Sequence, residues 1–329
     1  MKKIFIIGSQ MRLKLWFIIL LFSSLVHAET QTGYGWDIPN SSLNVGGYLD
    51  MTYDDTRVDD FLFNDIALIV SGRQNRFDLL AEVELSHISL EGKSNQSGDL
   101  DLNIERLQLS YALNDMQTVR IGRFNSDIGY WNQAPITILQ DTTTRPHLVG
   151  NFFPMATTGV HFQQHLNSEH QLSVTYQNND DISHQEGEVL EVNKHIGFAY
   201  LGVNDEFSWR LSLGEYEDVS QNKFDYVGLG ADYDVDDLTL QGEFFLQKSD
   251  SKKERPYSGY LQSTWHLKPQ HDTVVRFERY DDKVLNIEEN IYLLGYVYRP
   301  TQNLSAKVEY VYHSELPLNR FVYSLSVLF

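Results

Sequence analysis

Two sets of charged residues are placed where they could do electrostatic work. Glu82, Glu84, Arg106, Arg120, Arg210, Glu243 and Glu309 fall on the polar beat of segments whose other beat is apolar, and Arg276 and Glu278 share it. Asp127, Asp141, Arg145 and His147 fall together in one long junction. Acidic and basic groups held apart across a narrow water-filled gap create a transverse field, which orders water and sorts solutes by size and charge. The plainer reading of any one of them is a solvated side chain with no selective role. Covalent chemistry has no comparable candidates. The chain has no Gly-rich phosphate loop, no HExxH and no GxSxG. His161, His165 and His170 do not share a metal spacing on one strand face, and Asp54-Asp55 lacks the spacing of a calcium loop. With no Cys there are no disulfides or thiolate metal sites. A Ser/His/Asp set could still assemble in space, but nothing nominates one. No catalytic residue, metal or cofactor is expected.

The elements that must hold these charges read as strands. Phe77, Leu79, Ala81, Val83 and Leu85 alternate with Asp78, Leu80, Glu82 and Glu84. Phe207, Trp209, Leu211 and Leu213 alternate with Ser208, Arg210 and Ser212, and the last residues, Phe321 to Phe329, keep the same period. A period of two marks a strand with one apolar face. The pattern gives about sixteen strands of roughly ten residues, close to what a tilted strand needs to cross a bilayer. The spans expected are 43–53, 62–72, 75–87, 102–113, 116–124, 156–164, 169–177, 192–201, 205–214, 223–233, 236–247, 257–267, 271–280, 290–298, 302–311 and 320–329. Short junctions carry turn residues: Arg73-Gln74, Asn114-Asp115, Asn167-Ser168, Asn204, Asp234-Val235, Lys268-Pro269-Gln270 and Pro300-Thr301. Long junctions alternate strictly with them, at 54–61, 88–101, 125–155, 178–191, 215–222, 248–256, 281–289 and 312–319. That alternation belongs to an all-β, antiparallel up-and-down transmembrane barrel with short periplasmic turns and long external loops. A soluble sandwich gives no reason for it. In lipid every backbone N–H and C=O needs a protein partner, so the last strand must pair with the first. Aromatics near strand ends, Tyr53, Tyr111, Tyr176, Tyr200, Trp209, Tyr233, Tyr257, Trp265, Tyr298 and Tyr312, suit membrane-interface belts. Aromatic preference for strands is the bland alternative.

The N-terminus reads as an export signal. Lys2, Lys3, Arg12 and Lys14 precede an apolar run from Leu15 to Leu25, followed by Val26-His27-Ala28. The run is too short for a spanning helix, which needs about 20 residues. Cleavage is expected after Ala28, and Met11 is an alternative start. Residues 29–329 then form the barrel. Removing four positive charges takes the net charge to (26 − 4) − 45 = −23, which disfavours nucleic-acid binding.

One region carries a family resemblance. Val119-Arg120-Ile121-Gly122-Arg123-Phe124, followed by Gly129-Tyr130-Trp131-Asn132, resembles the strand and third-loop start of bacterial outer-membrane porins, general and phosphate-selective types included. The terminal strand, with Tyr323 and Phe329, resembles the signal read by the barrel assembly machinery. The resemblance implies a sixteen-stranded barrel in the outer membrane of a Gram-negative cell. It also implies a water-filled channel for small hydrophilic solutes, a third loop folded inward over residues 125–155, and a homotrimer among outer-membrane lipid and lipopolysaccharide. On that reading Asp127, Asp141, Arg145 and His147 are constriction candidates, and Arg106, Arg120, Arg210, Glu82, Glu84, Glu243 and Glu309 line the lumen. Arg123 is off the beat of Arg120. Ile128, Tyr130, Trp131, Ile136, Ile138, Leu139, Phe152 and Phe153 could pack the loop on a wall. A plugged barrel acting as receptor, adhesin or scaffold is the competing reading. Acidic outer loops, Asp54-Asp55, Asp59-Asp60, Asp180-Asp181 and Asp281-Asp282 among them, predict a weak cation preference. Loop 248–256 (Lys248, Lys252, Lys253, Arg255) and the lumenal arginines point the other way.

Overall fold

A computed structural model describes residues 35–56, 61–89, 101–133, 136–183, 190–249, 255–283 and 286–329. The export signal, Asp59, Asp60, Lys252 and Lys253 lie outside the described residues. The described chain forms β1 (Trp36–Asp37), β2 (Leu43–Asp54), β3 (Phe61–Gln74), β4 (Phe77–Ser89), β5 (Asp101–Asn114), β6 (Gln117–Asn125), β7 (Ala156–His165), β8 (His170–Asn178) and β9 (Val192–Val203). It continues with β10 (Phe207–Asp218), β11 (Lys223–Val235), β12 (Leu238–Ser249), β13 (Tyr257–Lys268), β14 (His271–Asp282), β15 (Ile287–Thr301), β16 (Leu304–His313) and β17 (Arg320–Leu328). Every consecutive pair is antiparallel from β2 onward, and β17 pairs back on β2 from Val322↔Asp54 to Leu328↔Tyr48. Phe329 completes the seam by exchanging backbone bonds with Gly47, at 2.7 and 2.9 Å. Seventeen strands less the two-residue β1, a spur on β2, leave a closed barrel of sixteen. No edge is left for lipid to strip of partners.

All sixteen expected strands are present, and most run a few residues longer. Several tight turns sit one or two residues later than expected, with Asn75-Arg76 following β3 and Asp236-Asp237 following β11, whereas Asn167-Ser168 lies in its turn as expected. Asn75 and Asp236 take φ of 56° and 51°. The turn forms where a residue tolerant of positive φ is available, and the pairing runs up to it. β15 reaches Thr301 through Pro300 by slipping register between Tyr298 and Thr301. A residue without an N–H is tolerated at such an irregularity.

Burial inverts the usual order. Exposed side chains are apolar, such as Leu68, Leu213, Leu229, Phe244, Leu261 and Leu294, while buried ones on the opposite beat are polar or charged. The first set makes the lipid-facing surface and the second lines the interior. Aromatics pair across neighbouring strands near both ends. Tyr53–Phe61 (4.8 Å between centroids) and Tyr310–Phe321 (4.8 Å) lie on the long-loop side. Phe77–Tyr111 (4.7 Å) and Phe207–Tyr233 (6.4 Å) lie on the turn side. Two belts of this kind suit the two interfaces of a bilayer.

Candidate functional site

The junction between β6 and β7, residues 126–155, is tied at its base. Ser126 N donates to Met155 O (2.8 Å), and the Asn132 amide donates to the carbonyls of both Ser126 and Met155 (2.8 Å each). Among its described residues, two short 3₁₀ turns, Trp131–Gln133 and Thr137–Leu139, are the regular pieces. Its apolar residues Ile128, Trp131, Leu148, Val149, Phe152 and Phe153 cluster with Tyr216, Phe224, Tyr226, Phe245 and Tyr260 of β10–β13. Burying one such side chain is worth about 1.5–3 kcal/mol. Ile136 packs instead beside Tyr48, Ala67 and Ile69, while Leu139 is exposed. Leu148 and Val149 were not marked in the sequence, because they follow Pro146 and His147 without any periodic pattern.

A segment with so little regular structure leaves backbone groups that burial would orphan. Strand carboxylates accept them. Glu243 takes the Tyr130 N–H (2.7 Å) and the Tyr260 hydroxyl (2.8 Å). Glu278 takes the His147 N–H (2.7 Å), and Glu309 takes those of Thr143 and Thr144, the latter at 3.0 Å. Arg276, fully buried, donates to Glu278 (2.8 Å), to the Thr142 hydroxyl (2.7 Å) and to Thr144 O (2.7 Å), with its guanidinium over the Trp131 ring. Lys307 donates to Thr137 O. Charge-assisted bonds of this kind are about twice as strong as neutral ones. Gly129 has φ 71°, and an added Cβ there would lie 2.8 Å from Glu243 Oε1. Opposite it on β11, a Cβ at Gly230 would lie 2.8 Å from the Tyr130 ring.

The constriction candidates are spread along this loop. Asp127 ion-pairs with Arg210 of β10 and accepts from Ser173 of β8 (2.6 Å). Burial opposes the Asp127 charge, but Arg210 and the Ser173 hydroxyl outweigh it and hold the carboxyl below its ordinary range. Asp141 accepts from Thr264 (2.7 Å) and pairs with Arg299 (3.1 Å). His147 stacks on Tyr280 of β14 at 3.5 Å, and burial first, then Arg255, lower its imidazole to about 4. Arg145 is exposed.

Between the loop and the wall that runs from β17 through β2 to β10, space remains. One cavity of about 450 Å³ is lined by Glu82, Glu84, Arg106, Arg145 and His147 among others. A second, of about 370 Å³, is lined by Arg106, Arg120, Asp127 and Arg210 among others. Arg106 and Asn125 line both. Asp141, Glu243 and Glu309 line neither. Arg106 is paired with Glu82. Arg120 makes no ion pair among the described residues; its contacts are the Ser110 hydroxyl (3.4 Å) and the Phe124 ring. Arg123 is buried at the loop-side rim, bonded to Asp181 at 2.8 Å. No group of three or more metal-ligating side chains occurs among the described residues.

A family profile described as Gram-negative porin matches residues 16–315. No curated protein is significantly similar in sequence. Among solved structures, the anion-selective porin from Comamonas acidovorans superposes with a TM-score of 0.65 at 15% identity, covering 88% of this chain and 100% of its own. OmpF of Salmonella typhi, solved with daunomycin, gives 0.66 at 11% identity, covering 89% and 100%. OmpT of Vibrio cholerae in its trimer form gives 0.62 at 9% identity, covering 88% and 99%.

Proposed function

The chain belongs to the Gram-negative porin family, an outer-membrane channel for small solutes, and from that premise we propose that residues 126–155 set its constriction. The observation that carries this reading is the bonding of the loop to interior side chains of β8, β10 and β12–β17, with two cavities left beside it along the wall that runs from β17 through β2 to β10. Solutes pass between loop and wall, and the neck is bounded by Arg106, Asn125 and the loop near Gln133, where the two cavities meet. Arg106, Arg120, Arg210, Glu82, Glu84, Arg145, His147 and Asp127 are the charges a solute meets. Glu243, Glu278, Glu309 and Asp141 hold the loop. A plugged receptor would leave no such passage.

Other parts of the reading rest on analogy and pattern. Residues 1–28 direct export, Phe329 belongs to the assembly signal, and three copies associate, as OmpT does in its trimer form.

The chain has no Cys, so a single introduced thiol is a clean reporter. In planar bilayers, Gln133→Cys channels are expected to lose conductance in one step when a bulky water-soluble thiol reagent is added. Leu68→Cys, on the lipid face, is expected not to respond. An unresponsive Gln133→Cys would remove the loop from the path.

A further inference from the structure

The charges along the proposed path are sorted by depth. The outer cavity carries the carboxylates of Asp54, Asp65, Glu82, Glu84 and Glu105. Against these five it has three guanidinium groups, from Arg106, Arg145 and Arg320. The inner cavity has Arg106, Arg120 and Arg210 against Asp127 alone. Among the described residues, the formal balance is 3 − 5 = −2 outside and 3 − 1 = +2 inside. Leaving out Arg106, which lines both, gives −3 and +1 and keeps the signs.

The order of the two along the axis follows from the strands. Asp54 ends β2 and Asp65 lies near the start of β3, both on the long-loop side. Gln171 and Leu201 of the inner cavity lie at the turn ends of β8 and β9, and Arg210 near the turn end of β10. Long loops face outward in such barrels and short turns face the periplasm. The acidic half is therefore external and the basic half periplasmic.

We propose that this lumen is a bipolar passage, an acidic outer vestibule in series with a basic inner one, and that it rectifies ion flow. The proposal rests on the reading of the path just given. Cations are the enriched carriers in the outer half and anions in the inner half. With the external side positive, cations move inward and anions outward. Both carriers then accumulate where the halves meet, at Arg106 and Asn125, and conductance rises. With the external side negative, both are drawn away from that junction and it is depleted. Arg120 carries half of the inner excess. Arg106 and Arg210 are each held in an ion pair with a carboxylate, and Arg120 makes no ion pair among the described residues.

The test is the current–voltage curve of single channels in planar bilayers at pH 8. At about 0.1 M KCl, where screening acts over about 10 Å, the current with the loop side positive should exceed that with it negative by on the order of 1.5- to 3-fold. At about 1 M, where screening falls to about 3 Å, the two should be nearly equal. Arg120→Glu brings the inner balance to zero while the outer half stays acidic, and should cut the asymmetry markedly, whereas Arg120→Lys should keep it. Symmetric current at low salt overturns the proposal, as does rectification undiminished in Arg120→Glu. If Arg120→Glu does not fold, the salt dependence of the unaltered protein decides. A chain that gives no conductance at all contradicts the channel reading itself, so the two failures are told apart.

Discussion

Arg210 and Asp127 form an ion pair with both side chains nearly buried, 5% and 13% exposed. Removing one partner from such a pair strands the other charge, at a cost of about 3–5 kcal/mol. Arg210→Met is therefore expected to loosen the start of the loop and raise open-channel current noise, and Asp127→Asn, which leaves the Arg210 charge buried without its counter-charge, to do so as well. Unaltered noise in Arg210→Met would show that the pair does not hold the loop. Gly129→Ala should resemble Arg210→Met, because its Cβ forces Glu243 away from the Tyr130 N–H. His147 makes the docking of the loop pH-dependent. Its docked imidazole titrates near 4 against an ordinary 6.5, so between those values the released loop binds a proton that the docked loop does not. Docking is unaffected above pH 6.5, weakens as pH falls from there toward 4, and His147 adds no further loss below. The Asp127 pair, held below its ordinary range, survives through that window and fails only in stronger acid. Gating noise is expected to rise between pH 7 and 5, and to rise less in His147→Gln. Equal noise at both pH values in the unaltered protein would contradict this account of His147.

At the scale of elements, the strands and the third loop differ in what fixes them. A strand writes its environment into every second residue, so all sixteen strands and the seam to β2 were legible, while the alternation of short and long junctions is less strict than expected: the β10–β11 and β14–β15 junctions are no longer than the β7–β8 turn. The turns were displaced because two rules compete there: polarity marks a region, but the residue able to take positive φ decides the position. Asn75 and Asp236 show this. Asn75→Pro should slow or prevent folding of the first hairpin, since Pro cannot take φ of 56°. Asn75→Gly should be tolerated, and heat-modifiable gel mobility after refolding distinguishes the two. The loop was legible only as long and ordered. Its contacts lie far apart in sequence: Thr144 meets Glu309 and His147 meets Glu278. Nothing in a local pattern separates a lumenal carboxylate that faces water, such as Glu84, from one that holds loop backbone, such as Glu243. One trace was present. Gly228 and Gly230 sit side by side on the lumenal beat of β11, between Tyr226 and Asp232, and Gly230 makes room for Tyr130 as Gly228 does for Phe245.

At the scale of the molecule, a surface of Leu, Val and aromatics encloses an interior rich in charge, and the loop of residues 126–155 packs against one part of that interior. The filling is lopsided. Aromatic and carboxylate side chains of β10–β17 grip the loop, and the two cavities lie along the wall from β17 through β2 to β10. The same lopsidedness gives a porin without a plug: what narrows the lumen also leaves a passage beside it. The central claim is thus that water runs continuously from the outer cavity past Arg106 and Asn125 into the inner one. Single-channel recording of the refolded protein in a planar bilayer tests this most directly. The account predicts discrete, long-lived conductance steps that fall when Gln133→Cys is modified. A protein that inserts and folds as a barrel, yet leaves the bilayer current at its baseline, would contradict it.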